Sequence, residues 1–195
     1  IIGVILGGRL GYVLFYQTSS IFYNPLYIFY IWKGGMSFHG GLIGIIIAIW
    51  FFSKKYSINF FQISDLVSSV APVGLFLGRL ANFINVELYG KITDFPLAII
   101  YPTVDQFPRH PSQLYEAFFE GIVLFIILYY YKKKNYYKNN FGFITILFLI
   151  LYGIFRYFIE FLREPDQHIG LFFNFISMGQ LLSIPLIILG IVIYL

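Results

Sequence analysis

Residues 65–90 read DLVSSVAPVGLFLGRLANFINVELYG. Positions 65–85 match a membrane helix, which needs about 20 mostly apolar residues. Yet Arg79, Asn82, Asn85 and Glu87 crowd the end of that run. A charge at the centre of a bilayer costs about 3 kcal/mol on insertion scales, so an unneeded one is selected against. Two expectations follow: a helix that crosses a membrane, and a polar site at its end.

The rest of the chain supports the first. Of 195 residues, 59% are hydrophobic and 11% are charged. That is about half the charged share of an ordinary soluble domain, and the mean hydropathy is +0.79. The fold expected is an all-α polytopic transmembrane helix bundle. Spans fall at roughly 1–16, 36–52, 65–85, 112–131, 141–162 and 177–195. They are separated by Asn24-Pro25, Lys54-Lys55, the stretch from Pro96 to Pro111, the lysine-rich 132–140, and Pro165-Asp166. No repeat or soluble insertion divides residues 1–195, which read as one integral membrane domain. The chain opens at Ile1, inside an apolar run, and reads as truncated at its N-terminus.

Charge sets the orientation. Loops 53–64 and 132–140 carry Lys54, Lys55, Lys132, Lys133, Lys134 and Lys138, against Lys33, Lys91, Arg109 and Arg163 on the other side. Lysine and arginine in short loops favour the cytoplasmic face. Asp65 is the only carboxylate on the lysine side. Stretches 17–35, 86–111 and 163–176 are therefore expected outside, and the polar clusters then share the outer leaflet. The net charge of +4 forms no basic stripe, so nucleic acid is not an expected partner. With no cysteine, any thiol in the chemistry belongs to a substrate.

Four further clusters carry chemistry. In YGIFRYFIEFLREPD (152–166), Tyr152, Arg156, Glu160 and Arg163 lie within about 80° on one helical face. Arg156 and Glu160 are either an interhelical ion pair or an anion site in which the carboxylate holds the guanidinium. Two arginines against one carboxylate favour the anion site. In GGMSFHGGLIG (34–44), glycines explain close helix packing but not His39, a side chain suited to proton transfer near neutral pH. PRHPSQLYEAFFEG (108–121) reads as an outer loop entering a helix, with Ser112 as the expected N-cap. His110, Tyr115 and Glu116 stand there as interface anchors or site residues. In GGRLGYVLFY (7–16), Arg9 either binds an anionic head group or pairs with a carboxylate such as Glu160. Around the opening stretch, Arg79 offers a planar fork for phosphate. Asn82 and Asn85 can orient ester or hydroxyl oxygens, and Gly78 and Gly90 permit close backbone approach or a sharp turn. Metal sites, a Gly-x-Ser-x-Gly nucleophile and a phosphate-binding glycine loop find no support; His39, His110 and His168 lack paired ligand spacing.

Taken together, GRLANFINVELYG, GGMSFHGGLIG, RHPSQLYE, FRYFIEFLREPD and SMGQLLSIP resemble, in order, the prolipoprotein diacylglyceryl transferase family. Ala81 stands where glycine is commoner. The resemblance covers nearly all of residues 3–195 and implies a bacterial inner-membrane enzyme of seven spans, six of them visible here. It implies transfer of a diacylglyceryl group from phosphatidylglycerol to the lipobox cysteine of a preprolipoprotein, releasing glycerol 1-phosphate, without metal or cofactor. By the same resemblance Arg79 corresponds to the phosphatidylglycerol-binding arginine, and His39, Arg156 and Glu160 to essential or important positions. The expected catalytic set is His39, Arg156 and Glu160. The expected substrate-binding set is Arg79, Asn82, Asn85, Glu87, Gly90, Arg9, His110, Tyr115 and Arg163. The rival reading is a transporter for an anionic solute, which would show repeats and a midplane site.

Overall fold

A computed structural model describes residues 1–17, 23–134, 140–165 and 176–194, with the side chains of residues 15, 16, 38 and 39 outside that description. Lys138 and His168 lie outside the described residues, as does the His39 side chain.

Each expected span is a helix. Among the described residues the helices are α1 (Ile2–Tyr16), α2 (Phe38–Tyr56), α3 (Phe60–Ile84), α4 (Ser112–Lys133), α5 (Phe143–Ile159) and α6 (Met178–Tyr194). Helices α3 and α4, of 25 and 22 residues, are long and apolar enough to cross a membrane; α5 and α6 are apolar but shorter. Only 28% of the most apolar window of α3 is buried within the protein. Leu77 and Ile126 stay 59% exposed, and Phe51 62%. Water tolerates such continuous apolar faces poorly and lipid does not object to them.

The chain falls into two compact units, Ile1–Ile63 and Ser64–Leu195. In the first, α1 and α2 pack along glycines: a Cβ on Gly7 would lie 2.8 Å from Gly44 Cα. Such small contacts let membrane helices approach backbone to backbone. Ser37 caps α2, its Oγ accepting from Gly40 N at 3.3 Å. Ser57, left-handed at φ 53°, ends it. Helix α3 starts at Phe60 rather than near residue 65 because the Asn59 side chain accepts from Phe61 N at 2.8 Å.

The second unit is built on α4, α5 and α6, with Leu124, Leu128, Ile144 and Tyr152 at its core. Asp65 of α3 explains itself here. Its carboxylate accepts from Gly142 N and Thr145 N, both at 2.8 Å, and from Thr145 Oγ1 at 2.7 Å. It thus satisfies the free N–H groups and the positive dipole end of α5. Helix α4 is not uniform: Ala117–Val123 widens into a π-helical stretch. Strands β1 (Ile99–Ile100) and β2 (Pro108–Arg109) pair antiparallel in the loop between α3 and α4, Ile99 opposite Arg109.

Candidate active site

The opening stretch leaves α3 through an unusual turn. Val86 and Leu88 both hold left-handed backbone, at φ 58° and 57°. A β-branched residue there is a true outlier, and such strain persists only where the surroundings over-determine it. Here they do. Glu87 N donates to Asn82 O at 2.8 Å, and Asn82 Nδ2 donates to Glu87 Oε2 at 2.9 Å. From α4, Ser112 Oγ donates to Leu88 O at 2.9 Å and Gln113 Nε2 to Glu87 O at 2.6 Å. Ser112 is therefore not the N-cap: Pro111 holds that position, and the serine hydroxyl serves the neighbouring loop instead.

Gly90 sits at a three-chain junction. Its N–H donates to His110 O at 2.9 Å, and a Cβ there would lie 2.6 Å from His110 Cβ and 2.7 Å from Leu162 O. Gly78, by contrast, has nothing within 4 Å of a built Cβ, so close approach does not explain it among the described residues. Asn85 is exposed where the helix has just ended.

Three helices bring charges together below this turn. Glu116 of α4, fully buried, bridges two arginines from different helices. Arg79 Nε of α3 lies 2.9 Å from Glu116 Oε2, and Arg156 Nη1 of α5 donates to Glu116 Oε1. Glu120, one turn on and also fully buried, lies farther off, 3.5 Å from Arg79 Nη2 and 3.9 Å from Arg156 Nη1. Arg156 Nη2 also contacts Glu160 Oε2 at 2.8 Å, and Glu160 lies 3.7 Å from Arg163 Nη1. Ser177 Oγ donates to Glu160 Oε1 at 3.0 Å. Among the described residues the surplus of arginine over carboxylate expected around α5 is met from α4: Arg79, Arg156 and Arg163 face Glu116, Glu120 and Glu160. Arg79 and Arg156 keep 15% and 11% of their side chains exposed, while Glu116 and Glu120 keep none. Gly121 lets α4 close on α3, since a Cβ there would lie 2.7 Å from Phe76 Cβ.

A second group gathers in the loop between α3 and α4. Arg109 grips Asp105 through Nε at 3.0 Å and Nη2 at 2.6 Å, and reaches Gly90 O at 3.1 Å and Glu164 at 3.3 Å. Its hydrogen bonds hold the Asp105 carboxyl below the usual carboxylate range. His110 Nδ1 and Tyr115 Oη are hydrogen-bonded at 3.3 Å. Burial pushes the His110 imidazole below its ordinary value.

Arg9 is placed in the first unit, 1% exposed. Its guanidinium donates to the carbonyls of Ile28, Gly34, Gly35 and Tyr27 and lies over the Tyr27 ring at 4.9 Å. It holds the 3-10 turns Pro25–Phe29 and Ile31–Lys33 against α1. His39 lies in the first turn of α2. Among the described residues no three His, Cys, Asp or Glu side chains gather as metal ligands. Residue patterns did not single out Gln113, Asp105, Ser177 or Glu120, and for Glu120 they could have. Its signal was available: a carboxylate four residues after Glu116, on the same face of a span.

The family model described as "Prolipoprotein diacylglyceryl transferase" matches residues 1–195. A protein of Rickettsia felis is 53% identical over 190 residues, covering 97% of this chain and 73% of that protein. One of Rickettsia akari is 54% identical over the same shares. One of Aeromonas hydrophila subsp. hydrophila is 53% identical over 189 residues, 97% of this chain and 68% of that protein. Each of the three is named phosphatidylglycerol–prolipoprotein diacylglyceryl transferase. The chain belongs to the prolipoprotein diacylglyceryl transferase family.

Proposed function

We infer that this chain is a phosphatidylglycerol–prolipoprotein diacylglyceryl transferase, the enzyme of the first step of lipoprotein maturation. Its substrates are phosphatidylglycerol and the lipobox cysteine of a preprolipoprotein. The cysteine sulfur attacks the glyceryl carbon of the lipid. A carbon–sulfur bond forms, the carbon–oxygen bond to phosphate breaks, and glycerol 1-phosphate leaves with the bonding pair. The thiolate is the competent nucleophile, so the thiol proton must be removed. The transporter reading is not favoured, since its relatives are named as transferases.

The observation that carries the site assignment is the shared grip of Arg79 and Arg156, from two different helices, on the buried Glu116. Arg79 and Arg156 take the phosphate. Preorganised donors aimed at developing charge are worth about 3 kcal/mol each. Glu160, with Arg163 and Ser177 beside it, fixes Arg156. Asn82 and Glu87 orient the head group with Asn85, and Gly90, His110 and Tyr115 shape the roof over it. His39 is the leading candidate base or a substrate-positioning group, on the family resemblance. Arg9 serves substrate binding through the loop it holds. The chain supplies six of seven spans of a bacterial inner-membrane protein as a single domain. The site faces the outer leaflet, supported by the lysines of loops 53–64 and 132–140.

The test is transfer to a lipobox peptide in phosphatidylglycerol-containing membranes, read by mass spectrometry. The expected result is a diacylglyceryl gain on cysteine, lost in Arg79→Ala. Normal transfer by Arg79→Ala removes its phosphate role, and a fully active His39→Asn at every pH removes base catalysis there.

A further inference from the structure

Among the described residues the ion pairs of the second unit's cluster join three guanidinium groups to three carboxylates before any ligand arrives. A phosphodiester adds one negative charge to a site whose carboxylates are out of water. Charge left uncompensated in such surroundings is strongly disfavoured, and the usual relief is that one group neutralises. The carboxylates differ in how well they are held. Glu116 has one arginine on each oxygen, one of them at 2.9 Å. Glu160 has Arg156 at 2.8 Å and the Ser177 hydroxyl at 3.0 Å. Among the described residues Glu120 accepts no hydrogen bond on either oxygen, where Glu116 and Glu160 each lack one on a single oxygen; it is 0% exposed and lies 3.5 and 3.9 Å from its arginines. It also sits inside the π-helical stretch Ala117–Val123, a geometry often met at functional sites.

Resting on the reading that Arg79 and Arg156 bind the phosphate, we propose that Glu120 is a proton-uptake group. When the lipid phosphate enters between the two arginines, the Glu120 carboxylate takes one proton from solvent, and it returns that proton when glycerol phosphate leaves. The groups facing it are Arg79 from α3, Glu116 from its own helix, and Arg156 and the Tyr152 hydroxyl from α5. The two arginines stay charged and Tyr152 has no proton to gain. Protonation of Glu116 would undo the bridge that sets the spacing of the arginines. A neutral Glu120 keeps the cluster balanced and frees the guanidinium groups for the phosphate. Glu120 acts through this charge balance and is a positioning residue rather than one that attacks or leaves.

The experiment is calorimetric titration of short-chain phosphatidylglycerol into the protein in detergent micelles, in buffers of differing protonation enthalpy. The wild type is expected to take up one proton per lipid, with affinity falling about tenfold per pH unit while free Glu120 is ionised. Infrared difference spectra of the wild type should gain a protonated carboxyl band on lipid binding. Glu120→Gln should bind lipid with no proton uptake and no pH slope, and at high pH more tightly than the wild type. Zero uptake by the wild type, or unchanged uptake by Glu120→Gln, overturns the proposal. The wild-type proton count stands even if the variant fails to fold. Arg79→Ala and Arg156→Ala separate the two layers. If both bind lipid normally, the phosphate reading falls; if both lose binding while the wild type takes up no proton, only Glu120's role falls.

Discussion

Consider Glu116→Gln, which removes one charge and keeps the shape. In the native site each carboxylate oxygen holds a different arginine, Arg79 at 2.9 Å on Oε2 and Arg156 on Oε1. After the change Arg156 keeps Glu160 at 2.8 Å, but among the described residues Arg79 keeps Glu120 alone, at 3.5 Å. Removing one partner of a buried pair costs about 3–5 kcal/mol. Because Arg156 retains a close partner, the lower end applies, about 3 kcal/mol. For a chain of this size that is a fall of about 6–12 °C in melting temperature. The assay is far-UV circular dichroism in micelles, since a chain without cysteine offers nothing to thiol-reactive dyes. Transfer to a lipobox peptide should drop with it, because the two guanidinium groups lose the strut that spaces them. Adding Arg79→Gln should recover part of the stability, as the uncompensated charge is then gone. An unchanged melting temperature with full transfer would refute the bridging role.

Gln113→Ala leaves the Glu87 carbonyl without its donor at 2.6 Å and should cost about 1–3 kcal/mol. Hydrogen exchange at residues 86–90 should rise as the strained turn loosens. Gly90→Ala places a methyl against the Leu162 carbonyl, 2.7 Å away, and should destabilise by about 1–3 kcal/mol, seen as lower expression and melting temperature. The Asp105–Arg109 pair sets an acid limit. Its carboxyl is depressed from 3.8, so its stabilisation is present above that value and is lost as pH falls through the depressed one. Carboxyl NMR should show Asp105 titrating lower than in Arg109→Gln.

The helices were legible because a membrane writes them as long apolar runs; the Lys54-Lys55 break falls in the last turn of α2, and Asn24-Pro25 opens a 3-10 turn. Asn59 moved the start of α3 forward by a local hydrogen bond that a hydropathy window averages away. The site was legible as residue types and only partly as partnerships. Arg156 and Glu160 share a face by spacing alone and meet at 2.8 Å. That Arg79 meets Glu116 depends on how α3 packs on α4 at Gly121, which no spacing encodes. Arg9 shows a different limit, because its partners are four backbone carbonyls and carbonyls carry no residue signature. Ser112 looked like a cap because serine before an apolar run commonly is one. The nearby left-handed turn at Leu88 claimed its hydroxyl instead.

The claim that Arg79 and Arg156 together hold the lipid phosphate is tested most directly by solid-state NMR. The measurement is dephasing between the phosphorus of bound phosphatidylglycerol and nitrogen-labelled guanidinium groups, compared with Arg79→Lys and Arg156→Lys proteins. The predicted result is strong dephasing from both side chains, as charge-assisted contacts of about 2.8 Å between nitrogen and oxygen require. Phosphorus coupled to neither arginine, or to one alone, would contradict it.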